Sequence, residues 1–125
     1  MDYKPTTFDI STAMVTNKLR LLANAMQAYS LRAQTTASNL ANLDTPGYKR
    51  MSVKFEESLQ NARNTIDGSE ALARVEPSVD VQDGAPILED ELMEFADTQM
   101  RTQLVSRALQ THFDALRTGI TGHSG

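Results

Sequence analysis

The sequence contains no cysteine and no tryptophan, and these two absences already narrow its chemistry. Without cysteine there is no disulfide, no thiol nucleophile and no thiolate ligand for zinc. Because aromatic residues make up only 6% of the chain, we do not expect a large aromatic core. Alanine, leucine and methionine supply most of the apolar surface, which favours helices over sheets.

Long apolar runs and clustered positive charge are also missing. No apolar run approaches the ~20 residues that a membrane-spanning helix needs. The opening residues MDYKPTTFDI have neither the basic nor the apolar part of a cleaved secretory signal. The formal net charge is −4 and the basic residues are scattered, whereas a nucleic-acid interface needs Lys and Arg on one face. The sequence therefore predicts no nucleic-acid partner and no cleaved signal peptide.

Common motifs of catalysis and metal binding do not occur either: there is no GxSxG, no glycine-rich phosphate loop and no HExxH. His112 and His123 lack metal-ligand spacing, so we interpret them as surface or interface residues. The carboxylates near residue 90 are better explained by a solvated helix start than by acid–base catalysis. We expect no catalytic residue, cofactor, metal or small-molecule substrate, and hence no enzyme.

What the chain does contain is helical periodicity at both ends. Residues 12–43 contain neither glycine nor proline, and apolar or small side chains recur there at alternating steps of four and three. This spacing is typical of a coiled-coil seam and predicts a helix over residues 12–43, after a flexible lead-in over residues 1–11. The seam positions are Val15, Leu19, Leu22, Met26, Tyr29, Ala33 and Leu40.

A second long helix is predicted over residues 89–120, followed by a tail over residues 121–125. Glu89, Asp90 and Glu91 place negative charge on its first turn, where the helix dipole favours it, and Gly119 is typical of the position after a helix end. Its seam positions are Leu92, Phe95, Leu109, Phe113 and Leu116. Polar residues in the middle of this stripe leave two alternatives: the register drifts there, or that stretch faces another molecule.

The middle segment, residues 44–88, has a different character. A short amphipathic helix fits residues 53–63, and ARVEPSVDV has room for one or two short strands. We therefore expect one all-α domain whose terminal helices pair as an antiparallel coiled coil, with an irregular, partly extended middle. Two helices packed only on each other bury little surface, so this chain needs neighbours for stability.

The first predicted helix ends in the sequence NLANLDTPGY, residues 39–48. Thr45 precedes Pro46 and is displaced from the helical region, so the helix must end before it. Pro46 and Gly47 suit the central pair of a type II turn, in which glycine supplies the positive φ. Tyr48 follows this turn, where its ring can pack on a helix and its hydroxyl can find a partner.

This stretch resembles the signature N-x-A-N-x-x-T-P-G-Y of the bacterial flagellar axial proteins. The matching residues are Asn39, Ala41, Asn42, Thr45, Pro46, Gly47 and Tyr48. The chain has no room for the large middle domain of the long rod and hook proteins, so it is similar to the short basal-body rod proteins. The acidic start and the LRTGITG ending of the second helix favour the proximal rod protein over an FlgC-like one.

The resemblance implies a structural subunit of the proximal rod, whose terminal helices pack into the tubular drive shaft that transmits torque and surrounds the export channel. It also implies export through the flagellar type III apparatus without a cleaved signal, and a place in the periplasmic rod. Implied partners are further copies of the chain, FlgC-like and FlgF-like rod proteins, the FliE adaptor and the FliF membrane ring. The alternatives are an FlgC-like rod protein and a soluble helical adaptor or secretion chaperone.

Overall fold

The computed structural model describes the backbone of residues 7–121 and the side chains of residues 12–119. The predicted lead-in before residue 7, the tail after residue 121 and His123 lie outside the described residues. Two long helices dominate the rest: α1 spans Thr7–Ala41 and α4 spans Leu88–Thr121. The prediction of a mostly helical chain with a long helix towards each end is therefore confirmed.

Between the long helices lie four short elements: β1 (Met51–Lys54), α2 (Glu56–Arg63), α3 (Gly68–Ala73) and β2 (Ser78–Val81). The two strands pair antiparallel, with Met51 opposite Val81 and Lys54 opposite Ser78. The short helix therefore begins at Glu56 instead of near residue 53, because the residues before it form a strand that pairs with part of the predicted ARVEPSVDV segment.

The ends of α1 differ from prediction, whereas α4 agrees with the predicted residues 89–120 to within one residue at each end. Helix α1 begins inside the predicted lead-in and ends at Ala41, two residues before the predicted end at Leu43. Helix α4 continues through Gly119, so this glycine does not follow the helix end. An interior glycine costs up to about 1 kcal/mol, but each residue added to an existing helix gains a hydrogen bond, so the helix can run past it.

The apolar core is small and lies where α1, α2 and α4 meet. Ala25, Ala28, Tyr29 and Phe55 are buried together, and the Tyr29 and Phe55 rings meet edge to face with centroids 6.3 Å apart. The total accessible surface is 8949 Å² for a mass of 13.8 kDa. A compact monomer of that mass exposes about 6,600 Å². Much of the chain's surface therefore has no cover within the single chain.

The predicted seam on α4 is not the face that the chain buries. Four of its five positions are exposed, by between 37% and 52% of their surface: Leu92, Phe95, Phe113 and Leu116. Leu109 is partly buried, as are the predicted α1 positions except the buried Tyr29. The buried stripe of α4 contains Glu91, Thr98 and His112, so His112 is not a surface residue. An apolar pattern could not reveal this stripe, because polar side chains occupy it.

Among the described residues, no helix combines the length and the apolar character that crossing a membrane requires.

Candidate functional site

A tight turn follows the end of α1. The Tyr48 N–H donates to the Thr45 carbonyl oxygen at 3.2 Å, and Gly47 has a φ of +77°. With Pro46 second and Gly47 third, this is the geometry of the expected type II turn. A Cβ at position 47 would meet no atom within 4 Å, so the need for glycine there is conformational and not steric.

Asn42 and Thr45 close the end of the helix. The Asn42 side-chain amide donates to the Ser38 carbonyl oxygen at 2.8 Å, and its own oxygen accepts from the Thr45 hydroxyl at 3.0 Å. The Ser38 carbonyl oxygen also accepts from the Asn42 N–H at 3.1 Å, so the Asn42 side chain adds a second bond to the last turn of the helix. Both side chains therefore stabilise the end of the helix itself, and within the described residues their side-chain hydrogen bonds stay local.

Asn39 lies at the centre of the site and is fully buried. Its Nδ2 donates to the Met51 carbonyl oxygen at 2.8 Å and to Glu91 Oε2 at 3.1 Å. Its Oδ1 accepts from the Met51 N–H at 3.0 Å and from the Tyr48 hydroxyl at 3.2 Å. An asparagine amide offers two donor hydrogens and two acceptor positions, and all of them are used. One side chain thus ties α1 to the turn, to β1 and to α4.

The same contacts close the outer edge of β1, the edge that faces away from β2. Asn39 bonds both backbone groups of Met51, and Arg32 Nη2 donates to the Val53 carbonyl oxygen at 3.0 Å. An unpaired strand edge is a template for pairing with another chain. In this protein, side chains of α1 occupy that edge.

Glu91 is the second buried polar residue of the site, so the prediction that it belongs to a solvated helix start is wrong. Its side chain is 0% exposed, with Oε1 accepting from Arg50 Nε and Oε2 accepting from Asn39. A buried carboxylate is strongly unfavourable without a cation and hydrogen bonds, and here it has both. Arg50 also donates to the Gln82 side-chain oxygen at 3.2 Å, which connects the residue after β2 to the same group.

A second ion pair lies further along α1. Arg32 is buried and donates to both carboxylate oxygens of Glu56 at 2.7 Å, while its Nε lies 3.4 Å from Glu94 Oε1. Its guanidinium also lies 5.4 Å from the centre of the Tyr29 ring. This side chain joins α1 to α2 and α4, a role that the apolar periodicity of the sequence does not indicate.

The electrostatics of this pair favour its charged form. Burial opposes ionisation of Glu56, but the hydrogen bonds and charge of Arg32, together with the charge of Arg101, hold the pKa of Glu56 below its usual range. The hydrogen bond to Glu56 in turn raises the pKa of Arg32. The pair is therefore ionised at neutral pH.

The structure brings together most of the residues in the sequence motif. Asn39, Asn42, Thr45 and Tyr48 are connected by hydrogen bonds, with Pro46 and Gly47 forming the turn between them. Ala41 is the exposed last residue of α1. Arg32, Arg50 and Glu91 complete the site, and periodicity gave no signal for them because each pairs with residues distant in sequence. Within the described residues, no cluster of His, Asp or Glu has the form of a metal site.

Comparison with known proteins gives matches to one family. Residues 19–49, which include most of this site, match the family model described as "Flagella basal body rod protein". The flagellar basal body rod protein FlgB of Bacillus subtilis (strain 168) is 21% identical over 126 residues, covering 88% of this chain and 98% of the relative. FlgB of Aeromonas hydrophila is 40% identical over 40 residues, covering 32% of this chain and 30% of the relative.

No solved structure shows significant similarity to the chain. The matches nevertheless agree with the N-x-A-N-x-x-T-P-G-Y stretch, and one of them extends over most of the sequence. The chain is therefore similar to the flagellar basal-body rod proteins, and both of these relatives are FlgB proteins.

Proposed function

We propose that this chain is a structural subunit of the proximal rod of the bacterial flagellar basal body, without catalytic activity. The observation that carries the proposal is the Asn39 site, in which the family's motif residues bond the helix end to the turn, to β1 and to α4. Such a site stiffens the connection between the two long helices. Stiffness is what a rod subunit needs, since the rod transmits torque.

We further propose that α1 and α4 pair as an antiparallel coiled coil. Three contacts support this arrangement. Asn39 bonds Glu91, Arg32 lies 3.4 Å from Glu94, and the cluster around Ala25 packs against Val105. Residue numbers thus fall along α1 as they rise along α4, as antiparallel helices require.

The uncovered surface of α4 supports packing against neighbours on more than one side. At about 100° per residue, one exposed apolar set falls within about 60° of the helix circumference: Leu88, Leu92, Phe95 and Phe113. A second exposed set falls well away from the first: Met93, Met100 and Leu104. Apolar surface on two sides of one helix suits a wall in which every subunit has neighbours on both sides.

In this proposal the coiled-coil helices form a tubular wall around the export channel. The subunit contacts further copies, FlgC-like and FlgF-like rod proteins, the FliE adaptor and the FliF ring. It reaches the periplasm through the flagellar type III export apparatus without a cleaved signal. These partners and this route are inferences from the family resemblance.

The decisive experiment is quantitative mass spectrometry of hook–basal bodies purified from the source cells, with detergent-stripped rods as the more selective fraction. We expect several copies of the chain per rod. An FlgC-like position would appear as association with more distal rod components after partial disassembly. Retention of the chain in the cytosol, while flagella assemble without it, would overturn the proposal in favour of an adaptor or secretion chaperone.

A further inference from the structure

The two outer edges of the β1–β2 sheet differ in their hydrogen bonding to the rest of the chain. On β1, Asn39 bonds both outward backbone groups of Met51, and Arg32 bonds the outward carbonyl oxygen of Val53. In an antiparallel pair, residues opposite each other direct their backbone groups either both inward or both outward. Val81 opposite Met51 and Val79 opposite Val53 therefore direct their N–H and C=O groups away from β1.

This outer edge of β2 is open. Within the described residues, no hydrogen bond reaches the outward backbone groups of Val79 and Val81. The side chains of these valines are 47% and 60% exposed. An edge with free backbone groups and exposed β-branched side chains is the surface to which an additional strand binds.

A second copy of the chain does not fit this edge. Its β1 cannot pair there, because Asn39 and Arg32 close the edge that it would offer. Its β2, paired antiparallel with Val79 opposite Val81, would place Asp80 directly opposite Asp80, and like charges in that position are destabilising. The register with Val79 opposite Val79 pairs Val81 with Pro77, which has no N–H, and the register with Val81 opposite Val81 pairs Val79 with Asp83, outside the strand. The occupant is therefore a strand of different sequence.

The side chains of β2 indicate which residues the bound strand should carry. Asp80 keeps 46% of its side chain exposed; Ser52 lies directly opposite it on β1, and the diagonal neighbour Lys54 reaches it with Nζ at 3.6 Å. A strand added on the other side of β2 would place a residue directly beside Asp80, and a cation is favoured there. Residues facing Val79 and Val81 would extend the apolar face of the sheet.

We propose that Ser78–Val81 binds an extended segment of a non-identical protein, with Lys or Arg facing Asp80 and apolar, β-branched residues on both sides of that cation. This inference rests on the proposed function for one point only: in the cell, the segment belongs to a neighbouring component of the basal body.

The first test uses a synthetic probe on the purified full chain. The probe is a blocked pentapeptide of sequence threonine-valine-lysine-valine-threonine, and its control carries glutamate in place of lysine. We expect NMR shifts of the amides of residues 78–82 that saturate at millimolar peptide, with the glutamate peptide binding about fivefold more weakly. Shifts confined to α4, or equal binding of the two peptides, would overturn the inference.

Two variants and one control variant extend this test. Asp80→Lys should reverse the preference so that the glutamate peptide binds more tightly, whereas Asp83→Lys, outside the strand, should leave it unchanged. Val79→Pro should abolish binding while keeping the β1–β2 ladder, because the N–H that it removes points outward. Protection of the Val79 and Val81 amides that rises with the concentration of the chain alone would place a second copy at the edge and contradict the assignment.

The second test compares hydrogen exchange of residues 78–81 in the free chain and in purified rods. We expect at least tenfold slower exchange in rods. If the chain is absent from rods, the proposed function fails while the peptide result still stands. If the chain is present and the segment exchanges as in the free chain, the inference alone fails.

Discussion

At the scale of single residues, burial of an amide is unfavourable unless each of its polar atoms is bonded. Asn39 meets this condition with four hydrogen bonds to Met51, Glu91 and Tyr48. Asn42 is only partly buried and bonds the last turn of its own helix and Thr45. The two asparagines of the motif therefore have different tasks: one joins elements, and the other ends a helix.

This difference predicts unequal effects of the same substitution. Asn39→Asp loses both donors and places a carboxylate beside Glu91, so we expect it to lower the free energy of unfolding by about 3 kcal/mol. Asn42→Asp loses one donor near the surface, and we expect a loss of about 0.5–1 kcal/mol. Urea unfolding at one fixed protein concentration measures both. Equal losses would contradict the central role of Asn39.

A second residue-scale prediction concerns Gly47. Gly47→Ala forces a side chain into the left-handed region, so we expect a loss of about 1–2 kcal/mol. Gly84→Ala is the matched control, because Gly84 lies in open space and does not have a positive φ. We expect the control to change the free energy of unfolding by less than about 0.5 kcal/mol. Thermal unfolding followed by circular dichroism distinguishes the two variants. If Gly47→Ala left the stability unchanged, the left-handed conformation at position 47 would not require glycine.

At the scale of elements, Arg32 connects three helices through its bonds to Glu56 and its proximity to Glu94. Because the pKa of Glu56 lies below its usual range, this carboxylate stabilises the folded chain above the pKa it has when unfolded. That stabilisation is lost as the pH falls through the lower, folded-state pKa. The association of α1 with α2 should therefore weaken in acid.

The corresponding test is Glu56→Gln across pH. Since 39% of the Glu56 side chain is exposed, we expect a loss of only about 1 kcal/mol at pH 7. The difference from the unchanged chain should vanish as the pH falls well below about 4.3, the ordinary glutamate value. Glu57→Gln, an exposed neighbour in the same helical turn, is the control and should show little change. A difference that persists in acid would show that charge is not the cause.

Some of the helices, strands and turns could be predicted from the sequence, and others could not. Absence of glycine and proline was sufficient to predict α1, and the Pro46–Gly47 pair was sufficient to predict the turn. The ARVEPSVDV segment, in which short strands were expected, contains β2, but its partner β1 and the buried face of α4 were not predictable from periodicity. The strands have only four residues each, and the buried stripe is polar and is stabilised by partners far along the chain, as Glu91 is by Arg50 and Asn39.

At the scale of the whole molecule, the exposed apolar residues at the predicted seam positions of α4 are best explained by contact with other chains. The accessible surface of 8949 Å² is about a third above that of a compact monomer of this mass. Leu92 and Phe95 contribute to this excess, with 52% and 42% of their surface exposed. Burial of such apolar area on association is favourable at roughly 25 cal/mol per Å² before the costs of association.

Association should therefore contribute to stability. We expect the thermal midpoint of the purified chain to rise with protein concentration, because binding between copies stabilises the folded state by mass action. Leu92→Gln with Phe95→Gln should remove this dependence, while leaving the midpoint at the lowest concentration within a few degrees of the unchanged chain. Gln103→Ala, at another exposed position of α4, should keep the dependence. Calorimetry over a hundredfold concentration range measures all three chains. A midpoint that is independent of concentration in the unchanged chain would mean that its own small core is sufficient, and the apolar faces of α4 would then need a different explanation.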